Sequence, residues 1–237
     1  MTSDFLQNRQ IEILEALIRE HLKSGEPISS KTLRQKQHMD LSPSTIRHYF
    51  FQLTQEGLLE QPHVSAGRIP TNKAWQIFVS KVLNEWEMFD EIETHMLREM
   101  ERFMKPQKSL SLDRLTDALS DKAKSFSFCY LFSDGDIHKN GYRYLFIDFN
   151  KDQLGEINQI AKDLDGIDEK IRNFKLMLDS KPLAYIGKNN PFINSEYLST
   201  LVTGLSGDGI LGLIGPKTIL SEHNIALIKA AEELIKS

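Results

Sequence analysis

The N-terminal part of the chain has hydrophobic residues at helical spacing, interrupted by short polar turns. Apolar side chains recur every three or four positions over residues 9–23, and Ser24-Gly25 ends this first predicted helix. Residues 31–36 predict a short second helix capped by Ser30, because a serine side chain can accept hydrogen bonds from the free amides of a first turn. Its Leu33 extends the same inward-facing stripe, so the two helices are expected to share one core.

A third helix is predicted next, and its two faces differ in chemistry. Ser42 can cap its first amides, and Pro43 occupies the first helical position, where no N–H is needed. Ile46, Phe50 and Leu53 share one face and are expected to pack inward. The opposite face is predicted to present Ser44, Thr45, Arg47, His48 and Gln52. Three helices with a short turn before the third are typical of helix-turn-helix proteins, whose third helix enters the major groove.

A hairpin is predicted after the third helix, which Gly57 ends. Residues 58–61 predict a short strand, residues 62–67 a turn and residues 68–70 a return strand. Residues 1–73 are therefore predicted to form a winged helix-turn-helix DNA-binding domain. The residues expected to contact DNA are Lys31, Ser42, Ser44, Thr45, Arg47, His48, Gln52, His63, Ser65 and Arg68.

Different contacts are expected within this set. Base edges are expected to be contacted by Ser44, Thr45, Arg47 and His48. Phosphates or an adjacent minor groove are expected to be contacted by Lys31, Ser42 and Arg68. A surface salt bridge with a residue such as Glu20 is the alternative for Arg47.

Residues 74–104 predict one long helix, within a connecting segment of residues 74–106. Its apolar residues recur every seven positions, a spacing that favours packing against another helix. The repeat consists of Trp75, Val82, Phe89, Met96 and Phe103, with Trp86 in an accompanying row. Two interpretations stay open. The stripe is either a dimer seam, formed by Trp75, Val82, Trp86, Phe89 and Met96, or a surface that covers the protein's own C-terminal domain.

Residues 107–237 show a mixed pattern. A helix is expected near residues 112–124, strands over residues 126–132, 142–149, 183–186 and 210–214, and two helices between residues 154 and 178. A closing helix over residues 224–235 is capped near Ser221. The fold class is therefore predicted to be α+β, with a small antiparallel sheet and helices packed on it.

The charge distribution agrees with a DNA-binding N-terminus. Although the formal net charge is −4, residues 1–81 have 10 Lys and Arg against 8 Asp and Glu, and residues 82–237 have 19 against 25. Residues 31–81 alone have 7 against 3, which places a surplus of positive charge where phosphate contacts are predicted.

The sequence signals for functions other than DNA binding are weaker. Residues 207–212 match G-x-G-x-x-G, but the pattern predicts a strand there, where a dinucleotide site needs a helix. Cys129 is the single cysteine and is expected in a strand core, and Asp163 and Asp165 are expected in a solvated turn. We therefore expect no enzyme activity, no metal and no cofactor. No apolar segment approaches the ~20 residues of a membrane helix, so a cytoplasmic protein without a membrane partner is expected.

The motifs resemble the heat-inducible transcription repressor family, HrcA. The similar segments are Leu41-Ser-Pro-Ser-Thr-Ile-Arg47, Gly57-Leu-Leu-Glu-Gln-Pro-His63, Ser65-Ala-Gly-Arg-Ile-Pro70, Ile186-Gly-Lys-Asn-Asn190 and Ile210-Leu-Gly-Leu-Ile-Gly-Pro216. The resemblance implies a repressor of chaperone operons that binds an inverted-repeat operator as a homodimer. It also implies modulation by the GroEL chaperonin and a GAF-like C-terminal domain.

Two departures from the family pattern stand out. His48-Tyr49 replaces the usual Asn-Glu, and the dimerising insert is reduced around residues 150–182, which makes this a short member. The alternative function is a small-molecule-responsive winged-helix regulator with a ligand pocket in the GAF-like domain. Polar side chains converging from residues 142–149 and 189–194 would favour that alternative, and a filled apolar interior would oppose it.

Overall fold

The structure is a computed structural model that describes residues 8–85, 94–100, 111–133, 135–147, 149, 151–174, 181–205 and 207–236. The chain divides into two compact units, Met1–Ser80 and Lys81–Ser237. No helix among the described residues is both long and apolar enough to cross a membrane.

The first unit contains three helices followed by a two-stranded hairpin. The helices are α1 (Asn8–Ser24), α2 (Ser30–Lys36) and α3 (Pro43–Gln55), and the strands are β1 (Leu59–Glu60) and β2 (Ile69–Pro70). Helix α4 (Asn72–Asn84) follows directly. The side chains buried between these elements include Ile13, Leu17, Leu33, Ile46, Leu53 and Trp75. The predicted helices and strands of this region are therefore confirmed.

The N-cap residue was predicted correctly for α3 but not for α2. Ser42 caps α3 as predicted, with its Oγ accepting from the amide of Thr45 at 3.1 Å. For α2 the prediction of Ser30 is wrong, because Ser29 accepts from the amide of Thr32 at 3.0 Å and Ser30 is already helical. Two adjacent serines have the same capping chemistry, so only the backbone geometry distinguishes them.

The prediction of one helix over residues 74–104 is wrong at Asn84, where α4 ends. Residues 94–100 are helical again, whereas residues 86–93 and 101–110, including Trp86, Phe89 and Phe103, lie outside the described residues. Asparagine is a poor helix former, and a seven-residue repeat contains no information about local ends. Trp75, Val82 and Met96 are buried within the chain, which supports internal packing over an open dimer seam.

The second unit is built on a five-stranded antiparallel sheet with the order β4-β3-β7-β6-β5. The strands are β3 (Phe126–Leu131), β4 (Ile137–Asn140), β5 (Leu183–Ile186), β6 (Leu198–Gly204) and β7 (Gly209–Pro216). The helices are α5 (Leu112–Ala123), α6 (Leu154–Asp165), α7 (Ile167–Asn173) and α8 (Glu222–Lys236). A mixed fold with a small antiparallel sheet is therefore confirmed, and Cys129 is buried in β3 as predicted.

One strand prediction in this unit is wrong, and two of its strands, β4 and β6, were not predicted. The predicted strand over residues 142–149 begins instead with a 3-10 helix, Tyr142–Leu145, followed by a turn at residues 146–147, while the strand β4 lies earlier in the chain. Gly141 separates them with φ +87°, in a space where a side chain would overlap Ser120 and Ser125. Strand β6 was not predicted, because polar Ser199, Thr200 and Thr203 interrupt its apolar pattern although all its residues are buried.

Candidate nucleic-acid interface

The exposed side of α3 is polar and basic, with one aromatic residue. Ile46, Phe50 and Leu53 are buried as predicted. Thr45 and Gln52 are only half exposed, at the flank of the helix. The exposed side chains, called here the outer face of α3, are Ser44, Arg47, His48, Phe51 and Gln55. Sequence reasoning omitted Phe51 and Gln55, although both follow Ser44 and Arg47 at helical spacing.

Hydroxyl groups cluster at the start of α3. The Oγ of Ser42 lies 2.6 Å from the Oγ of Ser44 and 2.8 Å from the Oγ1 of Thr45. Because the same Oγ also caps the helix, these three side chains are fixed relative to the first turn. The arrangement presents hydroxyl donors and acceptors at the N-terminus of the helix, which suits contact with phosphate oxygens or base edges.

Arg47 lies on the surface of α3 with its guanidinium group accessible. Its Nε donates to the carbonyl oxygen of Pro43 at 3.4 Å, one turn earlier. The alternative salt bridge with Glu20 is wrong, because that carboxylate is buried and engaged elsewhere. It accepts from the side chain of Gln37 at 3.1 Å and lies 3.8 Å from Lys23. Arg47 is thus available to a ligand outside the chain.

The hairpin (residues 58–70) is fixed to the helical core by backbone pairing. Leu59 pairs with Pro70 and Glu60 with Ile69, and a further bridge joins Arg68 to Ile28. Both hydrogen bonds of that bridge are 2.9 Å long. The hairpin therefore has a defined position beside α3.

The tip of the hairpin is organised by Gln61, a residue that sequence reasoning did not single out. Its Nε2 donates to the carbonyl oxygens of Val64 and Ala66, both at 2.9 Å. His63, Val64 and Ser65 are exposed at this tip. His63 and Ser65, both predicted to contact DNA, thus lie on an ordered turn. The position of Gln61 at the end of a short strand, directly before this turn, is the sequence feature from which its role could have been predicted.

Arg68 is only half exposed, unlike Arg47. Its Nε donates to the Oγ1 of Thr54 at 3.3 Å, and its Nη1 reaches the carbonyl oxygen of Gly67 at 3.5 Å. The bond to Thr54 links the hairpin to the C-terminal part of α3. Its guanidinium group retains donors that these two bonds do not use, so a phosphate contact by Arg68 stays a prediction.

A cleft of about 230 Å³ lies between α3 and the hairpin. Arg47 and Arg68 line it, together with the polar side chains of Ser29, Ser30, Gln61 and Ser65. No carboxylate is among its lining residues. Two guanidinium groups without a neighbouring acid favour an anionic ligand, and a nucleic-acid backbone has this charge. Lys31 is exposed on α2, close in sequence to the two serines.

In the second unit, the region that the ligand-pocket alternative concerns has an apolar interior. Its core contains Phe126, Phe128, Leu145, Ile160, Ile171, Phe192, Val202 and Ile210. The amide of Asn190 is already used, donating to Thr200 at 2.8 Å and accepting from the amide of Phe192 at 3.0 Å. This interior opposes the ligand-pocket alternative. Among the described residues, no group of three His, Cys, Asp or Glu side chains could hold a metal ion.

Asp163 is buried in α6 rather than in a solvated turn, so that prediction is wrong. Its carboxylate accepts from Lys170 at 2.5 Å, the amide of Asn194 at 2.9 Å and Gln159 at 3.3 Å. Burial raises the pKa of this carboxyl, but the three donors outweigh it and leave the pKa below its ordinary value. This cluster joins α6 and α7 to the loop before β6 and has a structural role.

Comparison with known proteins connects the chain to transcription repressors. It is 34% identical over 122 residues to the heat-inducible transcription repressor HrcA of Nitratidesulfovibrio vulgaris, covering 52% of this chain and 34% of that protein. HrcA of a Parafrankia species is 42% identical over 77 residues, 32% of this chain and 23% of that protein. HrcA of Clostridium perfringens is 36% identical over 93 residues, which cover 39% of this chain and 27% of that protein. The resemblance noted above is confirmed.

The extent of these similarities is limited. The matched segments span between about a quarter and a third of the length of these relatives. No family profile matches the chain. A solved structure described as a hypothetical protein is 13% identical, with a TM-score of 0.62 over 96% of this chain and 97% of that one, which shows a shared fold.

Proposed function

We propose that this protein is a winged-helix transcriptional repressor that binds an inverted-repeat operator of chaperone operons. The observation that supports it most is the position of the polar, basic outer face of α3 beside a fixed hairpin, with Arg47 and Arg68 lining the cleft between them. A helix that fits the major groove and a hairpin that reaches the adjacent backbone are the two contacts a winged helix makes. The similarity to HrcA proteins supports the same assignment.

The DNA contacts are divided between specificity and affinity. We assign base contacts to Ser44, Thr45, Arg47, His48 and Gln52, and backbone contacts to Lys31, Ser42, His63, Ser65 and Arg68. Guanidinium and imidazole groups can donate to purine edges in the major groove, whereas hydroxyls and lysines position the protein on phosphates. Half-buried Arg68 would contact phosphate through the donors that Thr54 and Gly67 leave unused.

Replacing Arg47 with alanine tests the assignment of the outer face. If Arg47 contacts a guanine edge, the variant should lose ~1–3 kcal/mol of operator binding and discriminate less at one base pair. If it contacts only phosphate, affinity should fall evenly across sequences and the salt dependence should become weaker. Gel shifts on the operator, mutated operators and random DNA distinguish these results. Arg114→Ala, which removes an exposed arginine from α5, is the matched control; equal affinity of the two variants would contradict both contacts.

We further propose that two copies bind the two half-sites as a homodimer. The symmetry of an inverted repeat mirrors a two-fold axis in the protein, so half-site spacing would be set by the dimer. The second unit, with its antiparallel sheet and packed helices, would correspond to the GAF-like domain implied by the family resemblance. Residues 150–182 contain two short helices at the position of the reduced insert.

Modulation by the GroEL chaperonin is the regulatory part of the proposal. Purified protein should protect an inverted repeat in its own chaperone promoters from nuclease, and protection should increase when GroEL is added. An unfolded substrate protein that occupies GroEL should reverse the increase. Protection that ignores GroEL would remove the regulatory part and leave the repressor intact, whereas absence of specific protection under all conditions would overturn the repressor itself.

A further inference from the structure

Phe51 is an exposed aromatic side chain in the middle of the outer face of α3. It retains 59% of its accessible surface, whereas neighbouring Phe50 is almost fully buried in the helical core. Single exposed apolar residues are common on protein surfaces, so the informative observation is that Phe51 lies among the polar and basic side chains of the outer face of α3.

The position of Phe51 is set by helical geometry. It follows Arg47 by four residues and Ser44 by seven, so these three side chains lie along one stripe of α3. His48 lies three residues before Phe51 and flanks the same stripe. A surface that follows this stripe therefore meets the hydroxyl of Ser44, the guanidinium group of Arg47 and the phenyl ring together.

Major-groove chemistry supplies a matching apolar group. The C5-methyl of thymine is the one hydrocarbon group on the floor of the major groove, and phenylalanine is among the side chains that contact it. The phosphates on either side of the groove also supply the negative charge that Arg47 and the basic surplus of residues 31–81 favour. A thymine-containing duplex thus satisfies the whole stripe.

We infer that Phe51 is a specificity-determining residue, which contacts thymine methyl groups in the operator and selects thymine at those positions. This inference rests on the proposed function and adds an apolar contact to its polar set. The phenyl ring excludes water from each methyl that it covers, so thymine is favoured over any base without that methyl. Uracil pairs like thymine but lacks the methyl, and is therefore the probe.

The test compares the operator fragment with a copy in which deoxyuridine replaces thymidine. Binding constants are measured by fluorescence anisotropy, first with complete replacement and then with one symmetric pair of positions at a time. For the natural chain, loss of a contacted methyl should weaken binding about fourfold per half-site and about fifteenfold when both half-sites change. Phe51→Ala should bind both duplexes equally, with the affinity that the natural chain has for the uracil duplex.

Two further variants define the contact. Val64→Ala removes an almost fully exposed apolar side chain from the hairpin tip, and should retain the full preference for thymine. Phe51→Leu retains an apolar group and should retain part of it. Because Phe51 is exposed, its replacement leaves the core intact, which circular dichroism of the full chain would verify.

The outcomes separate this inference from the proposed function. Equal affinity of the natural chain for both duplexes, or an undiminished thymine preference in Phe51→Ala, would overturn the thymine contact while operator binding stands. A change of mass of Phe51→Ala in light scattering, with its thymine preference unchanged, would instead assign Phe51 to a protein interface. Failure to bind either duplex specifically would overturn both proposals.

Discussion

Gly67→Ala is expected to destabilise the first unit by about 3 kcal/mol and to weaken operator binding about tenfold. A β-carbon at this position would overlap the carbonyl group of Ile28 and lie 2.8 Å from its amide nitrogen. Neither strand of backbone can move aside without breaking the two hydrogen bonds between Ile28 and Arg68. Ile28 is itself buried, so any shift also disturbs the core.

The loss of DNA binding follows from the same displacement. Arg68 and the hairpin tip keep their place beside α3 through this bridge, and the cleft between them includes Gly67 and Ile28. If the hairpin moves, Arg47 stays on α3 but the backbone contacts assigned to the hairpin are no longer aligned with it. Affinity should fall while the base preferences of α3 persist.

Urea unfolding followed by tryptophan fluorescence measures the stability change. A Trp86→Phe background leaves Trp75, which packs against His21 and Phe78 in the first unit, as the reporter. Gly155→Ala is the control, because a β-carbon at that position in α6 meets nothing within 4 Å. Because Gly155 lies in the second unit, that control should leave the transition reported by Trp75 unchanged. An unchanged unfolding midpoint in Gly67→Ala would contradict the close approach.

Asp163→Asn should destabilise the second unit by about 2 kcal/mol. Breaking a buried ion pair costs about 3–5 kcal/mol, but one third of the Lys170 side chain is exposed, so solvent compensates part of the loss. Lys170 also donates to the carbonyl oxygen of Phe192 at 2.9 Å, so that the loop before β6 loses part of its support. Thermal unfolding by circular dichroism measures the change, and exposed Asp165→Asn is the control.

The effect of Asp163→Asn should depend on pH. The pKa of Asp163 is lower in the folded chain than in the unfolded one, so its stabilising contribution is complete above about pH 4 and is lost as the pH falls through the folded value. The difference in free energy of unfolding between the natural chain and the variant should be constant from pH 5 to 7 and shrink below about pH 4. A difference that grows on acidification would contradict the ion pair.

The elements that could be predicted from sequence are those defined by neighbours along the chain. Ser42, Pro43 and the spacing of Ile46, Phe50 and Leu53 are local signals, and the structure reproduces the helix that they predict. Phe51 was overlooked for the same reason, because an apolar residue next to a core position is easily assigned to the core. Its position along the helix distinguishes it. Phe51 follows exposed Arg47 by four residues and so shares its face, whereas Phe50 follows buried Ile46 by four residues.

What sequence reasoning missed depends on partners that are far apart in the chain. Thr200 is tolerated in buried β6 because Asn190 bonds to its hydroxyl, and that pairing is invisible to a pattern of alternating residues. Asp163 is buried for a comparable reason, since Lys170 and the amide of Asn194 compensate its charge. Residues 142–149 have the aromatic content of a strand, but Gly141 turns the backbone before they can join the sheet.

The strand order of the second unit also dictates when that unit can fold. Strand β3 pairs with β7, joining Phe126 to Ile214, so its central ladder closes only after most of the unit has been synthesised. The first unit pairs residues close in sequence, with the bridge between Ile28 and Arg68 among its longer closures. During translation, the first unit therefore has all the residues that it needs for its internal contacts while β3 still lacks its partner strand β7. Chain growth thus imposes an order of maturation, in which the helices and hairpin of the first unit are complete before the sheet of the second unit closes.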